Sequence, residues 1–297
     1  MSKLPPLQSA SAASAEPRYE GSLVEDGFTI IRNAISPQLL QAFQQSVNRS
    51  LFDLASPALG PAADWTDPAY FKKAVKHLIA QRSGYDLLKP VWKNLIRQDL
   101  LNDLFLQPAI YRFIGDVLGK DLCYQDDPSL TLNLPGVANS KQNYLFKGFH
   151  QEVWSGASVN TLQFWAPLFQ QRPEHGIVFV KGSHLWGHIP HRNREPLELP
   201  AGHAETPSDL ALGDAVVFHS LLLHRSAPIP KAGQPRLALP CLVKNFKYPN
   251  DSFEKYRNWK IFSYSDLSLI DRRLGNHYLS PFRLVDLPPQ QFTGGIT

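Results

Sequence analysis

His150, Gln151 and Glu152 put an imidazole and a carboxylate one residue apart. Both groups ligate divalent first-row metals. In an extended strand, residues two apart point to one face, so His150 and Glu152 would project together. The apolar run Tyr144-Leu145-Phe146 before them predicts that this face is partly buried. A buried carboxylate needs a partner, or its pKa rises and it neutralises. A metal is such a partner. An exposed strand end is the other reading of the tripeptide taken alone.

Downstream, Leu212 to Ser226 reads as a turn, a strand and then a second histidine, His224, with Ser226 two residues later. Arg236 follows His224 by twelve residues and heads the run Leu237-Ala238-Leu239. Two histidines and one carboxylate form the facial triad of non-haem Fe(II) oxygenases, which leaves open positions for other ligands. Such an enzyme also needs a fixed cation for the far carboxylate of its co-substrate. Arginine suits that role, being always charged and shaped to hold a carboxylate bidentately. Ser226 would add a hydroxyl donor. His219 competes with His224, but the two are five apart and face opposite sides of a regular strand. His224 leads into Ser226 and Arg236 and is the expected ligand; His219 is expected to be structural.

The elements that must position these groups follow from periodicity. Residues 1–17 are rich in Ala, Ser and Pro and are expected to be a disordered tail, followed by a single domain over 18–297. Phe28-Thr29-Ile30-Ile31 is a strand signal. Ser36 is placed to cap a helix that Pro37 opens and that Leu40, Phe43, Val47 and Leu51 stripe. Residues 69–120 read as helical, with a face of Leu88, Val91, Trp92, Leu95 and Ile96 and a last helix from Pro108 to a stop at Gly119. From 121 the pattern changes to short β-rich runs at 130–134, 144–153, 158–169, 176–181, 214–223 and 236–244. The strands are not each followed by a helix. This predicts an α+β protein, with a helical cover over 18–120, an antiparallel barrel core over 121–250 and a C-terminal extension over 251–297.

Composition narrows the function classes. Charged residues are 19% of the chain and net charge is +4, with no long basic block, so a nucleic-acid partner is not expected. The two cysteines, Cys123 and Cys241, do not make a disulfide scaffold. The first residues lack the apolar run of a secretory leader, and no stretch is long and apolar enough to span a membrane. The expectation is a cytoplasmic protein acting on a small molecule, with no membrane partner.

The ordered set of motifs resembles the phytanoyl-CoA dioxygenase family of Fe(II)/2-oxoglutarate-dependent oxygenases over about residues 19–245. Glu25-Asp26-Gly27-Phe28 through Ser36-Pro37 resembles the family's first strand and helix. His150-Gln151-Glu152 resembles its metal motif, Trp165 a tryptophan near 2-oxoglutarate, and Glu174-His175-Gly176 with Gly182-Ser183-His184 a later loop. Gly213-Asp214, His224, Ser226 and Arg236 complete the set. The resemblance implies a double-stranded β-helix of jelly-roll or cupin-like form under N-terminal helices. It implies Fe(II) on His150, Glu152 and His224, with 2-oxoglutarate and O2 as co-substrates converted to succinate and CO2 as a substrate is hydroxylated. The C5 carboxylate of 2-oxoglutarate would lie on Arg236 and Ser226. Three departures stand out. Glu152 replaces the commoner Asp and keeps its charge, which argues against a halogenase; Lys181 and His175 replace Pro and Asn.

Asn133 and Gln163 are further candidate contacts, Gln163 because it shares a face with Trp165. Lys147 reads either as a pocket residue or as a solvated lysine. His184, His188 and His191 read as a loop near the mouth rather than a zinc site, since no cysteine or acid completes a set. Phe253, Tyr256, Trp259, Phe262 and Tyr264 read as packing of a C-terminal flap, with a substrate lid as the alternative. The competing functions are a Jumonji-like protein-directed oxygenase and a non-catalytic β-helix binding module. Arg236 after the distal histidine disfavours the first, and the intact triad disfavours the second. The polar stretch Ser155–Asn160 and the mild basicity favour a polar small-molecule substrate such as a carbohydrate or sugar acid.

Overall fold

The computed structural model describes residues 17–55, 58–126, 130–137, 147–170, 172–248 and 258–273. Helix α1 (Pro37–Ala55) starts where Ser36 predicts, and the Ser36 hydroxyl accepts from the Leu39 N–H at 3.3 Å. Its buried stripe begins at Leu39 rather than Leu40, then runs through Phe43, Val47 and Leu51. The helical stretch that follows is four helices: α2 (Pro68–Ile79), α3 (Gly84–Arg97), α4 (Leu100–Phe105) and α5 (Pro108–Leu118). Local chemistry makes the breaks. Asp67 caps α2, Ser83 caps α3, and Gly119 ends α5 at φ +82°, where a side chain would be strained.

In chain order the strands are β1 (Arg18–Glu20), β2 (Phe28–Arg32), β3 (Leu122–Gln125), β4 (Thr131–Asn133), β5 (Thr161–Phe169), β6 (Ile177–Val180) and β7 (His191–Arg192). They continue as β8 (Glu195–Pro196), β9 (Glu205–Pro207), β10 (Ala215–His219), β11 (His224–Ser226), β12 (Arg236–Asn245) and β13 (Trp259–Ser263), before helix α6 (Asp266–Arg273). The major sheet runs β1-β2-β10-β5-β12-β3-β13, with β4 on the other end of β12; the minor sheet runs β11-β6-β9. Their pairings are antiparallel.

The major sheet is buried on both faces. Phe164, Ala166 and Leu168 of β5 and Val217 of β10 share one core with Phe43, Val47, Phe71 and Phe105 of the helices. Trp165, Val216, Phe218 and Ala238 turn the other way and meet Ile177 and Phe179 of the minor sheet. This is the expected α+β architecture: a β-helix with its helices stacked outside.

Some expectations change. Residues 1–16, 144–146, 253 and 256 lie outside the described residues. Of the run 144–153, His150 makes a single bridge to His224, and Glu152–Ser155 is a 3-10 turn. The run 214–223 stops at His219; the chain then crosses to the minor sheet as β11. In the C-terminal part, Phe262 packs against Phe105 and Tyr124, and Tyr264 against Phe246, which supports the packing reading.

Phe105 ties the helical cover to the sheet, with ring centroids 5.0 Å from Tyr124 and 5.3 Å from Phe164. Phe105→Ala is expected to lower stability by about 3–5 kcal/mol, read from the urea midpoint at constant slope. A loss below about 1 kcal/mol would mean that the cover and sheet are not one cooperative core.

Candidate metal and co-substrate site

His150 and His224 are brought together by their own backbones. The His150 N–H donates to the His224 carbonyl at 2.9 Å, and the His224 N–H donates back at 3.1 Å. Directly opposed residues in such a pair put their side chains on one face. The two rings lie 4.1 Å apart between centroids. Glu152 joins them by a different route from the expected strand alternation. Its N–H donates to the Ser220 carbonyl at 2.9 Å, and the chain curls into the 3-10 turn with its carboxylate turned inward.

Gln151 points away and holds this turn in place. Its amide nitrogen donates to the carbonyls of Leu221 at 2.6 Å and Gly187 at 2.9 Å, and its oxygen accepts from the Ile189 N–H at 3.0 Å. This fully buried clamp was not legible from the tripeptide, because its partners lie in loops far along the chain.

The donor atoms are pre-set for a cation. Nδ1 of His150 lies 2.8 Å from the Gly148 carbonyl, and Nδ1 of His224 lies 2.9 Å from the Leu222 carbonyl. A carbonyl only accepts, so each Nδ1 carries a proton, and each neutral ring presents its lone pair at Nε2. Both Nε2 atoms face Glu152 Oε1, at 3.4 and 3.3 Å. These contacts would be ion pairs only if the imidazoles were protonated. Burial, reinforced by His224, instead pushes His150 down to about 4, so its ring is neutral at neutral pH. Burial alone would raise the Glu152 carboxyl. The Lys147 charge opposes it, and the group is held well below the usual carboxylate range. Two lone pairs and a carboxylate therefore converge, and His150 Nε2 is buried with no hydrogen-bond partner. A divalent metal satisfies all three atoms at once. Among the described residues, these three form the one group of His, Cys, Asp or Glu side chains within metal-ligand range.

A second uncompensated charge sits across the cavity. Arg236 is only 1% exposed, and among the described residues no carboxylate pairs with it. Its Nη1 donates to the carbonyls of His175, at 2.8 Å, and Gly176; its Nε has no partner. Burial pulls its pKa down to about 9, which still leaves it charged at neutral pH. The Trp165 ring lies 5.1 Å from the guanidinium carbon. A buried cation held only by carbonyls and a ring face calls for an anion, and a carboxylate fits its fork.

The triad, Trp165, Ser226 and Arg236 line one narrow cavity, together with Thr131, Lys147, Ile177, Phe218 and Pro240. A wider cleft lies near Val178, Pro207 and Arg225, the residues that alternate with the inward-facing Phe179, His224 and Ser226. It is on the far face of the minor sheet from the triad.

Two expected contacts do not line the cavity. Gln163 is cross-strand from Phe218 and Leu242 and donates to the Phe164 carbonyl at 2.9 Å. Asn133 is cross-strand from Arg236 and makes long contacts to the Ser226 hydroxyl, 3.5 Å, and the Ala227 carbonyl, 3.4 Å, so it braces Ser226. His219 accepts from the Leu221 N–H at the turn into β11, and His184 bonds the Val24 carbonyl. Thr131 and Pro240 were passed over because only cross-strand pairing with β12 and β5 turns them inward.

A β-helix that converges two imidazoles, a carboxylate and a buried guanidinium on one cavity defines a class: enzymes that use Fe(II) and 2-oxoglutarate as a non-haem dioxygenase does. The model of the phytanoyl-CoA dioxygenase (PhyH) family matches residues 23–236, and the chain belongs to that family. A solved structure described as the apo form of the non-heme monooxygenase ThoJ is similar in fold, at 18% identity and TM-score 0.50, covering 91% of this chain and 97% of that one. The epimerase SnoN, solved with Fe3+, alpha-ketoglutarate and nogalamycin RO, matches at 14% identity and TM-score 0.47, over 78% of this chain and 84% of that one. A search of curated protein sequences finds no match.

Two outcomes follow from the geometry. Gln151→Leu leaves three buried backbone groups unpaired, and about 1–3 kcal/mol of stability should go with each lost bond that water does not replace. Weaker Fe(II) binding should accompany the loss, since the turn carrying Glu152 loosens. Unchanged melting and unchanged Fe(II) affinity would contradict the clamp. The second outcome concerns pH. His150 has its folded pKa near 4 against an ordinary 6.5, so in that window the unfolded chain binds more protons than the folded one. The stability of the metal-free protein should fall as pH drops from 6.5 towards 4. Glu152, ionised in the fold, adds a further loss as pH falls through the carboxylate range. Urea melts at pH 7.5 and 5 read this directly, and equal midpoints would contradict it.

Proposed function

We propose that this enzyme hydroxylates a polar small molecule, such as a carbohydrate or sugar acid, while 2-oxoglutarate and O2 are converted to succinate and CO2. His150, Glu152 and His224 hold the Fe(II). Arg236 and Ser226 hold the C5 carboxylate of 2-oxoglutarate, and Trp165 packs beside it. The observation that carries the reading is the pair of opposite electrostatic features on one cavity: two imidazoles and a carboxylate at one side, and at the other a buried guanidinium with no carboxylate partner among the described residues.

Bound iron and 2-oxoglutarate supply the oxidising chemistry. The chain's own residues fix where it happens. The carbonyls of Gly148 and Leu222 keep both imidazoles in the ligating tautomer. Glu152 neutralises part of the metal's charge and arrives already ionised. Arg236, anchored by His175 and Gly176, sets the direction of the co-substrate. Ile177, Phe218 and Trp165 keep the cavity wall apolar and water-poor, which strengthens each of these interactions. The Ser155–Asn160 stretch contributes differently from its sequence expectation. Its buried Ser158 carbonyl accepts from Ser220 and Thr161 and shapes the turn. The polar lining comes instead from Thr131, Ser226 and Lys147.

Anaerobic absorption of the purified protein tests the reading without knowledge of the substrate. A visible charge-transfer band should need both Fe(II) and 2-oxoglutarate. His224→Ala should abolish the band and turnover. Arg236→Ala should raise the half-saturating 2-oxoglutarate by about 30-fold or more, the cost of losing one partner of a buried charge pair. A folded wild-type protein with no band, or His224→Ala with unchanged turnover, would sink it.

A further inference from the structure

Lys147 is a cation on the cavity wall to which neither the metal nor 2-oxoglutarate is assigned above. It lines the cavity with the triad and Arg236 and is partly buried there. Its backbone is fixed. The Lys147 N–H donates to the Ser226 hydroxyl at 3.3 Å, and the Ser226 N–H donates to the Lys147 carbonyl at 2.8 Å. The side chain therefore starts from a defined point beside β11. Among the described residues its ammonium makes no hydrogen bond or ion pair. A solvated lysine would look similar in isolation. This one lines the same cavity as His150, Glu152 and His224.

The charges of the filled site give it a task. Divalent iron, the Glu152 carboxylate, the Arg236 guanidinium and the 2-oxoglutarate dianion cancel. Lys147, the one further charged side chain on the described lining, leaves a single positive charge in a poorly hydrated space. Such a surplus disfavours a neutral or cationic substrate and is relieved by an anionic one.

We infer that Lys147 binds a carboxylate of the primary substrate and selects acids over their neutral counterparts. The inference rests on the dioxygenase reading and narrows it. Within the proposed polar substrates it favours the sugar acid over the neutral carbohydrate. An ammonium is a compact point charge on a flexible stem, so it would accept acids of differing shape.

The test uses the Fe(II)- and 2-oxoglutarate-loaded enzyme under anaerobic conditions. Binding of matched acids and amides is measured by calorimetry, with glucuronate against glucuronamide, hexanoate against hexanamide and benzoate against benzamide. At least one acid should bind about tenfold or more tightly than its amide, the size of a charge-assisted hydrogen bond. Lys147→Met should erase that preference, and Lys147→Arg should keep it. The charge-transfer band separates the two sources of carboxylate. In Lys147→Met its half-saturating 2-oxoglutarate should rise less than about tenfold, well short of the change expected for Arg236→Ala, since Lys147 would lack the direct contact that Arg236 makes. A larger rise would assign Lys147 to the co-substrate and overturn the inference. Equal binding within every pair, including no binding of any acid, would overturn it too. A wild-type enzyme that forms no band would remove the dioxygenase reading itself, and this inference with it.

Discussion

The reciprocal backbone bridge between His150 and His224 is the contact on which the site depends. It is only one residue pair long, yet it fixes both imidazoles on one face and at one depth. Everything nearby serves it. Ser226 and Lys147 extend the pairing by one more bond, Gln151 clamps the outgoing turn, and the 3-10 turn delivers Glu152. A side chain ligand set held by backbone hydrogen bonds needs little reorganisation to bind metal, because its geometry is already spent on folding.

The second constraint is the burial of Arg236. A guanidinium without a counter-anion is costly in a core, and helices would not gather around it for stability's sake. The major sheet tolerates it because its outer face is so well covered. β5, β10 and β12 bury large side chains on the helical side, and this leaves their inner positions free for function. Trp165, Phe218 and Arg236 occupy those inner positions. The stability and the chemistry thus sit on opposite faces of one sheet, and the alternation of β-strand side chains keeps them apart.

Much of this was legible in the sequence, for reasons that differ by residue. The ligand types and order of His150, Glu152, His224 and Arg236 pointed to the metal and co-substrate chemistry directly. The helix starts at Ser36 and Pro108 and the stop at Gly119 follow local rules and were legible for the same reason. His150 and Glu152 converge through a 3-10 turn rather than by strand alternation. Strand parity does not separate His219 from His224 either, because they lie in different sheets with a turn between them. Gln163 and Asn133 sit beside the cavity rather than on its lining, because cross-strand neighbours, unseen in one dimension, decide which inward positions reach it. β5 hides its period altogether, being buried on both faces.

The central claim is that the site stands ready before metal arrives: both imidazoles are oriented by carbonyls at Nδ1, His150 is neutral with Nε2 bare, and Glu152 is ionised. Counting protons tests it most directly. Fe(II) is titrated into the metal-free protein at pH 7 under anaerobic calorimetry, in two buffers of different ionisation enthalpy, and the difference in heat gives the protons released. The prediction is release of less than one proton per iron, since neither His150 nor Glu152 has a proton to give up. Release of one or more protons per iron would mean that the ligands are protonated in the free protein, and that metal binding builds the site rather than filling it.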